Sequence, residues 1–201
     1  MIDPRQKEYD DFYTEAPTKW ADDKRNKFAF DAISKHLKEP PKNFIDIGCG
    51  NGHTVQYLAE RWPDAKPWGM DLSPVAIGLA KGRVPNGTFL CTPFEDCKQI
   101  MKFDIVLALG VLEHFEDHSV TLPKLRDMVG GLFYVELPNC IGYPRSTKVE
   151  GFRRLNQGNH QMEWHLWRPS WERLFKKYGF TIVEAIKGPT IYTEFVWILK
   201  P

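Results

Sequence analysis

Residues 45–52 read IDIGCGNG, with glycines at 48, 50 and 52 and an acid, Asp46, two positions before the first of them. Glycine has no Cβ, so it accepts positive φ and lets a ligand come close to the backbone. One glycine serves a turn; three at alternate positions, after an apolar run and before an amphipathic one, suit a cradle. In folds that hold a nucleoside-containing cofactor, an acid about twenty residues further on takes the ribose hydroxyls. Asp71 stands there, at the end of the next apolar run. The spacing is GxGxG, not the GxGxxG of dinucleotide binders. A carboxylate at Asp46 also fits a cationic amino group better than a pyrophosphate. A nicotinamide oxidoreductase is therefore the least supported of the nucleoside-cofactor classes.

Two further groups carry chemistry. GVLEHFED places Glu113 and His114 just after the apolar run FDIVLAL. Histidine has an unperturbed pKa of about 6.5, which suits a general base for a hydroxyl acceptor. The plainer alternative is that both residues brace a sheet edge. Residues 138–168 show no periodicity and carry Arg145, Lys148, Arg153 and Arg154, then His160, Glu163, Trp164, His165 and Trp167. Cations and aromatic planes of this kind suit an anionic, ring-bearing acceptor, with Arg145, His160, Trp164 and His165 as substrate-side candidates. A solvated loop held down by tryptophans is the alternative.

The elements that must position these residues alternate. Short apolar strands are predicted at 43–47, 67–71, 88–91, 103–109 and 132–137. Helices are predicted around Ala29–Leu37, Val55–Trp62, from Pro74 to about Gly82, around Leu122–Val129, and over 169–178. FTIVEAI and YTEFVWIL close the chain as two strands able to pair antiparallel. Strand–helix alternation predicts an α/β, doubly wound, mostly parallel sheet, whose ligands bind beyond the carboxyl ends of the strands. Residues 1–23 read as a loosely structured N-terminal arm or lid, and 24–201 as a single domain with a substrate-side loop over 138–168.

The 201 residues suffice for one substantial core, and a net charge of +1 gives no global attraction to nucleic acid or membrane surface. No apolar stretch reaches bilayer length, and the N-terminal residues are too polar for a signal peptide. Cys49, Cys91, Cys97 and Cys140 form no CxxC pair, so reduced thiols and a cytoplasmic location are expected.

IDIGCGNG, GMDLS (69–73), FDIVLALGVLEHFED (103–117) and the closing LFKKYGFTIVEA together resemble the class I S-adenosylmethionine-dependent methyltransferases. The resemblance spans roughly residues 43–199 and implies a seven-stranded Rossmann-like sheet with an antiparallel C-terminal strand. It implies S-adenosylmethionine as cofactor and S-adenosylhomocysteine as product. Asp46, Gly48 and Gly50 would surround the methionine moiety, with Cys49 in the same turn. Asp71 would hold both ribose hydroxyls, and Leu72 would pack on adenine. Leu109 and Gly110, ending the fourth strand, complete the cofactor set. Thr92 stands where the family usually has an acid facing the adenine amino group, so its hydroxyl, or backbone groups near Pro93 and Phe94, take that contact. The expected reaction is methyl transfer to a small polar acceptor, more readily at oxygen, with Glu113 and His114 at the transfer site.

The segment around LEH is also similar to some quinone-biosynthesis O-methyltransferases. The tail resembles small-RNA 2′-O-methyltransferases that use a divalent metal: Glu113, His114 and His160 match three of four ligand positions, while Gly110 stands at the fourth. A site without metal that acts on a small-molecule acceptor is the expected one, with no membrane partner and with nucleic acid as the less expected acceptor. A non-catalytic subunit of the same fold is the alternative from another class, and the intact glycine corner argues against it.

Overall fold

The computed structural model describes residues 4–18, 22–98, 101–138, 151–154, 162–188 and 193–201. Five strands, β1 (Asn43–Ile47), β2 (Lys66–Asp71), β3 (Thr88–Cys91), β4 (Phe103–Leu109) and β5 (Val129–Pro138), run parallel. The final pair, β8 (Thr181–Ile186) and β9 (Thr193–Lys200), completes a seven-stranded sheet in the order β3-β2-β1-β4-β5-β9-β8, and β9 is antiparallel to both its neighbours. The doubly wound sheet with an antiparallel C-terminal strand is as the sequence implies.

Both faces of the sheet are covered, which is why its central strands are apolar along their length. Helices α2 (Asp23–Ser34), α3 (His53–Arg61) and α4 (Pro74–Arg83) belong to one face, where Ala29, Ile33, Leu58 and Ala80 pack with Phe44, Leu107 and Tyr134. On the other face, α5 (His118–Met128) and α6 (Arg168–Lys177) bring Leu122, Leu125, Trp171 and Phe175 against Val106, Phe133 and Trp197. No helix among the described residues is long and apolar enough to cross a membrane.

Strand order reverses between β1 and β4, since the chain winds outward from β1 through β2 to β3 and then returns to β4 and β5. The crevice at that switch point, above the carboxyl ends of β1 and β4, is where this architecture leaves room for a ligand. The glycine corner follows β1 directly. A single 3₁₀ turn, η2 (Leu112–His114), follows β4.

Two segments differ from the sequence-based expectation. The arm that reads as loosely structured contains helix α1 (Pro4–Glu15), which packs against α4. The stretch without periodicity holds a two-stranded antiparallel sheet of β6 (Gly151–Arg154) and β7 (Met162–His165). The bounds of the helix predicted around Ala29–Leu37 also shift, since α2 begins at Asp23 and ends at Ser34.

Phe175 is fully buried, with its ring centroid 6.0 Å from that of Trp171 and 5.5 Å from that of Trp197. Removing a buried aromatic leaves a cavity that its neighbours fill only in part. Phe175→Ala is expected to destabilise the fold by about 3–5 kcal/mol in urea titrations. A loss below about 1 kcal/mol would contradict this packing of α6.

Candidate functional site

The corner after β1 is built by backbone conformation. Gly48, Gly50 and Gly52 all have positive φ, at 72°, 52° and 78°. The amides of Gly48 and Cys49 both donate to the Met70 carbonyl, at 2.8 and 2.9 Å, which pins the turn to the end of β2. Gly52 starts α3, and a Cβ there would press within 2.9 Å of the Ala80 backbone, so the glycine also allows α3 and α4 to approach. Cys49 is buried, and its Sγ packs over Gly69, which leaves only its backbone to face the crevice.

Asp71 ends β2 and is 9% exposed. One carboxylate oxygen accepts the Gly50 N–H at 2.9 Å and the other accepts the Ser73 N–H at 2.9 Å. Burial raises its pKa against the opposing pull of the Ser73, Gly50 and Leu72 amides. Two carboxylate oxygens offer about four acceptor sites, so capacity remains for hydroxyl donors. Leu72 beside it is half-buried. Ser73 caps α4 by accepting the Ala76 N–H at 3.1 Å, and Pro74 supplies the first helical position. Thr92 donates its N–H to the Asp71 carbonyl at 3.0 Å, so the β3 end is tied to the same place. The Phe94 ring stacks on Phe115 at 5.4 Å, and its carbonyl accepts from Lys124.

Asp46, in β1, is 3% exposed, and its Oδ1 has no hydrogen-bond partner among the described residues. Burial, with Asp71 and Glu136 nearby, pushes its pKa up to about 8 despite the lowering effect of Arg25. An acid in this state fits a cationic ligand group, which would supply both the missing partner and the counter-charge.

Four residues enter the crevice that sequence reasoning missed. Arg25 sits in the first turn of α2, where the Asp22 cap accepts the Lys24 and Arg25 N–H groups. Its Nε donates to Glu136 at 2.6 Å, and Glu136, at the end of β5, is fully buried and also accepts from the Tyr134 hydroxyl. Burial works against the Arg25 charge, but the Glu136 carboxylate outweighs it and raises the pKa. From α1, Tyr13 is buried against Gly50, and the Tyr9 ring stands edge-on to His114 at 6.3 Å. An acid inside the apolar run LFYVEL was a readable signal for Glu136; Arg25, 111 residues from its partner, had none.

On the β4 side, Gly110 has φ 65° and donates its N–H to the Glu136 carbonyl at 2.8 Å. A Cβ on Gly110 would lie 3.3 Å from an Arg25 Nη and 3.5 Å from the Glu113 carboxylate, so these groups converge there. Leu109 is half-buried at the strand end, Glu113 is buried, and His114 is half-buried. Val111 covers Gly48 so closely that a Cβ would overlap it, which interlocks the two turns. Among the substrate-side candidates, Trp164 donates its indole N–H to the Glu116 carbonyl at 3.1 Å, bringing β7 to η2. Trp164 also walls a cavity of about 430 Å³ with His118, Arg173, Lys177 and Tyr178. Arg145 and His160 lie outside the described residues, as does the side chain of His165.

A family model described as a methyltransferase domain matches residues 19–185. The chain belongs to that family, the class I S-adenosylmethionine-dependent methyltransferases. A trans-aconitate 2-methyltransferase of Methylobacterium radiotolerans is 30% identical over 125 residues, covering 61% of this chain and 48% of that protein. One from Mycobacterium tuberculosis is 26% identical over 172 residues, 85% of this chain and 60% of that protein. The chain thus spans about half the length of the first of these relatives. Among solved structures, the Burkholderia thailandensis 1,6-didemethyltoxoflavin-N1-methyltransferase, with S-adenosylhomocysteine and 1,6-didemethyltoxoflavin bound, shares the fold. It aligns with a TM-score of 0.75 and 19% identity over 97% of this chain and 86% of that one. S-adenosylmethionine is the cofactor of the class.

The raised pKa of Asp46 has a consequence for stability. Between about pH 4 and pH 8 the folded protein keeps this proton while the unfolded chain has lost it, so stability falls as pH rises across that window. Asp46→Asn removes this component, and the variant should gain on the wild type by about 1 kcal/mol per pH unit within the window. Urea titrations at several pH values measure it; a difference independent of pH would contradict the protonated state of Asp46.

Proposed function

We propose that this chain transfers the methyl group of S-adenosylmethionine to an oxygen of a small polar acceptor, and that the acceptor is a carboxylic acid. The observation that carries the reading is the convergence of Asp71, Asp46 and the glycine turn on one side of the crevice with Glu113 and His114 on the other. Bound there, the cofactor supplies an electrophilic methyl group on a sulfonium. Asp71 would accept the two ribose hydroxyls, and Asp46 would take the ammonium group, losing its proton as it does so. Gly48 and Gly50 would leave the backbone bare for the methionine chain, with Leu72 and Thr92 on the adenine side. The Glu113–His114 turn is suited to aligning the acceptor for in-line attack, which is where most of the rate advantage of such a site arises.

Support for an acid comes from the names of the relatives, since trans-aconitate is a polycarboxylate. A carboxylate is already ionised near neutral pH, so no base is required. His114 would then orient the acceptor by donating a hydrogen bond. The hydroxyl reading assigns it instead to proton removal, and the two separate cleanly.

Incubation with S-adenosylmethionine labelled in the methyl group and a panel of small organic acids, phenols and sugar nucleotides is expected to label an acid. Mild alkali should then release the label as methanol, because an ester hydrolyses and an ether or N-methyl group does not. Alkali-stable label would contradict the carboxylate reading. With an acid acceptor, His114→Ala should raise KM and leave the pH profile of kcat in place. A base would instead cost about 10²–10⁴ in kcat.

A further inference from the structure

We propose that His118, the first residue of α5, is a positioning residue for methyl transfer: it holds the Glu113–His114 turn through a hydrogen bond to the Leu112 carbonyl. The inference rests on the reading that this turn aligns the acceptor.

Glu113 and His114 sit in a single 3₁₀ turn, a short element whose own hydrogen bonds have poor geometry. His114 donates its N–H to the Val111 carbonyl at 3.1 Å, and Phe115 donates to the Leu112 carbonyl at 3.2 Å. From the glycine corner and α1, Val111 lies on Gly48 and the Tyr9 ring stands edge-on to His114. His118 reaches the turn from the face that carries α5 and α6. Its Nε2 lies 2.9 Å from the Leu112 carbonyl oxygen, which can only accept, so the ring proton is on Nε2. The bond ties the first residue of the turn to the helix that follows it.

The ring is itself held. His118 is 6% exposed, with Trp171 of α6 edge-on at 5.0 Å and Trp164 of β7 at 5.6 Å between ring centroids. Burial lowers its pKa, against the opposing pull of the Leu112 carbonyl and Asp117, and keeps the imidazole neutral near neutral pH. Its backbone belongs to an anchored helix. Asp117 caps α5 by accepting the Ser119 N–H at 2.8 Å, and Lys124 donates to the Phe94 and Glu95 carbonyls, both at 2.9 Å. Trp164, against the same ring, donates to the Glu116 carbonyl just beyond the turn.

An apolar ring would pack equally well between two indoles. The imidazole differs from it by its nitrogens, whose burial costs free energy unless they are hydrogen-bonded. Groups that must stay within about 0.5 Å of a productive geometry need supports whose own rotamers are locked, and His118 is such a support. A displacement of about 1 Å at a reacting group can cost about 10²-fold in rate, so a loosened turn would lower transfer without touching the contacts of Asp71.

The test uses two variants for which packing and hydrogen bonding predict opposite results. His118→Phe keeps an aromatic ring and removes the donor, whereas His118→Gln loses the ring and keeps an N–H near the same place. Methyl-transfer kinetics, S-adenosylhomocysteine calorimetry and amide exchange by NMR are read in both. His118→Phe is expected to speed exchange of the His114 and Phe115 amides several-fold and to lower kcat/KM for the methylated acceptor about tenfold, with S-adenosylhomocysteine affinity unchanged. His118→Gln should bring both readings back near the wild type, even if urea titrations show it to be the less stable variant. Wild-type exchange and transfer in His118→Phe overturn the proposal, and so does a His118→Gln variant impaired as much as His118→Phe or more. Faster exchange with wild-type kcat/KM also overturns it, since the turn would then not need to be held. If the variants do not fold, the wild-type ring decides: nitrogen shifts that place the proton on Nε2 support the bond, and a proton on Nδ1 removes it. Failure to methylate any acceptor counts against the proposed reaction instead, and the amide exchange still decides whether His118 holds the turn.

Discussion

The Asp71 carboxylate joins the turns that leave the first two strands. One oxygen holds the amide of Gly50 and the other that of Ser73, so the glycine corner and the start of α4 are set by the same buried group. Hydrogen bonds to a charged acceptor are worth about 1.5–3 kcal/mol each, and losing the acceptor leaves two amides without partners. The Met70 carbonyl, taking the Gly48 and Cys49 amides, closes the same junction one residue earlier. These bonds all lie within the chain, so its own backbone and side chains shape the crevice. Preformed donors and acceptors spare the cost of ordering at the moment of binding.

Around that junction the protein concentrates acids. Asp46, Asp71 and Glu136 are all buried towards the carboxyl ends of β1, β2 and β5, and Arg25 is a half-buried cation paired with Glu136. Glu136 has Arg25 and Tyr134 as partners, whereas Asp46 relieves its position by keeping a proton. This imbalance suits a ligand that carries positive charge, as S-adenosylmethionine does on both its ammonium and its sulfonium. A site built for phosphate would have the opposite sign.

The parts legible in the sequence are those under local constraint. Positive φ at 48, 50 and 52 demands glycine, and strands buried on both faces must be apolar, so β1, β3 and β4 could be read to the residue. Asp71 was legible as a candidate because it stands at the distance from the turn where such folds carry a ribose-binding acid, and its carboxylate accepts the Gly50 amide. What escaped depends on tertiary contact. The α1 sequence PRQKEYDDFYTE has no apolar stripe; Tyr9 and Tyr13 share a face, yet the helix gains its place through Asp10 and Tyr13 docking on distant turns. The β6–β7 strands, GFRR and MEWH, are only four residues each, too short for alternation to stand out, and they pair with each other across the stretch. Arg25 enters the crevice only because the fold brings Glu136 beside it.

The central claim is that Asp71 receives the cofactor's ribose at the glycine corner. A crystal structure of the chain with S-adenosylhomocysteine tests it most directly. The account predicts both ribose hydroxyls within about 2.5–3.0 Å of the Asp71 carboxylate oxygens, with the Gly50 amide still bound to Asp71. A ribose held by other residues, with Asp71 facing only its backbone partners, would contradict it.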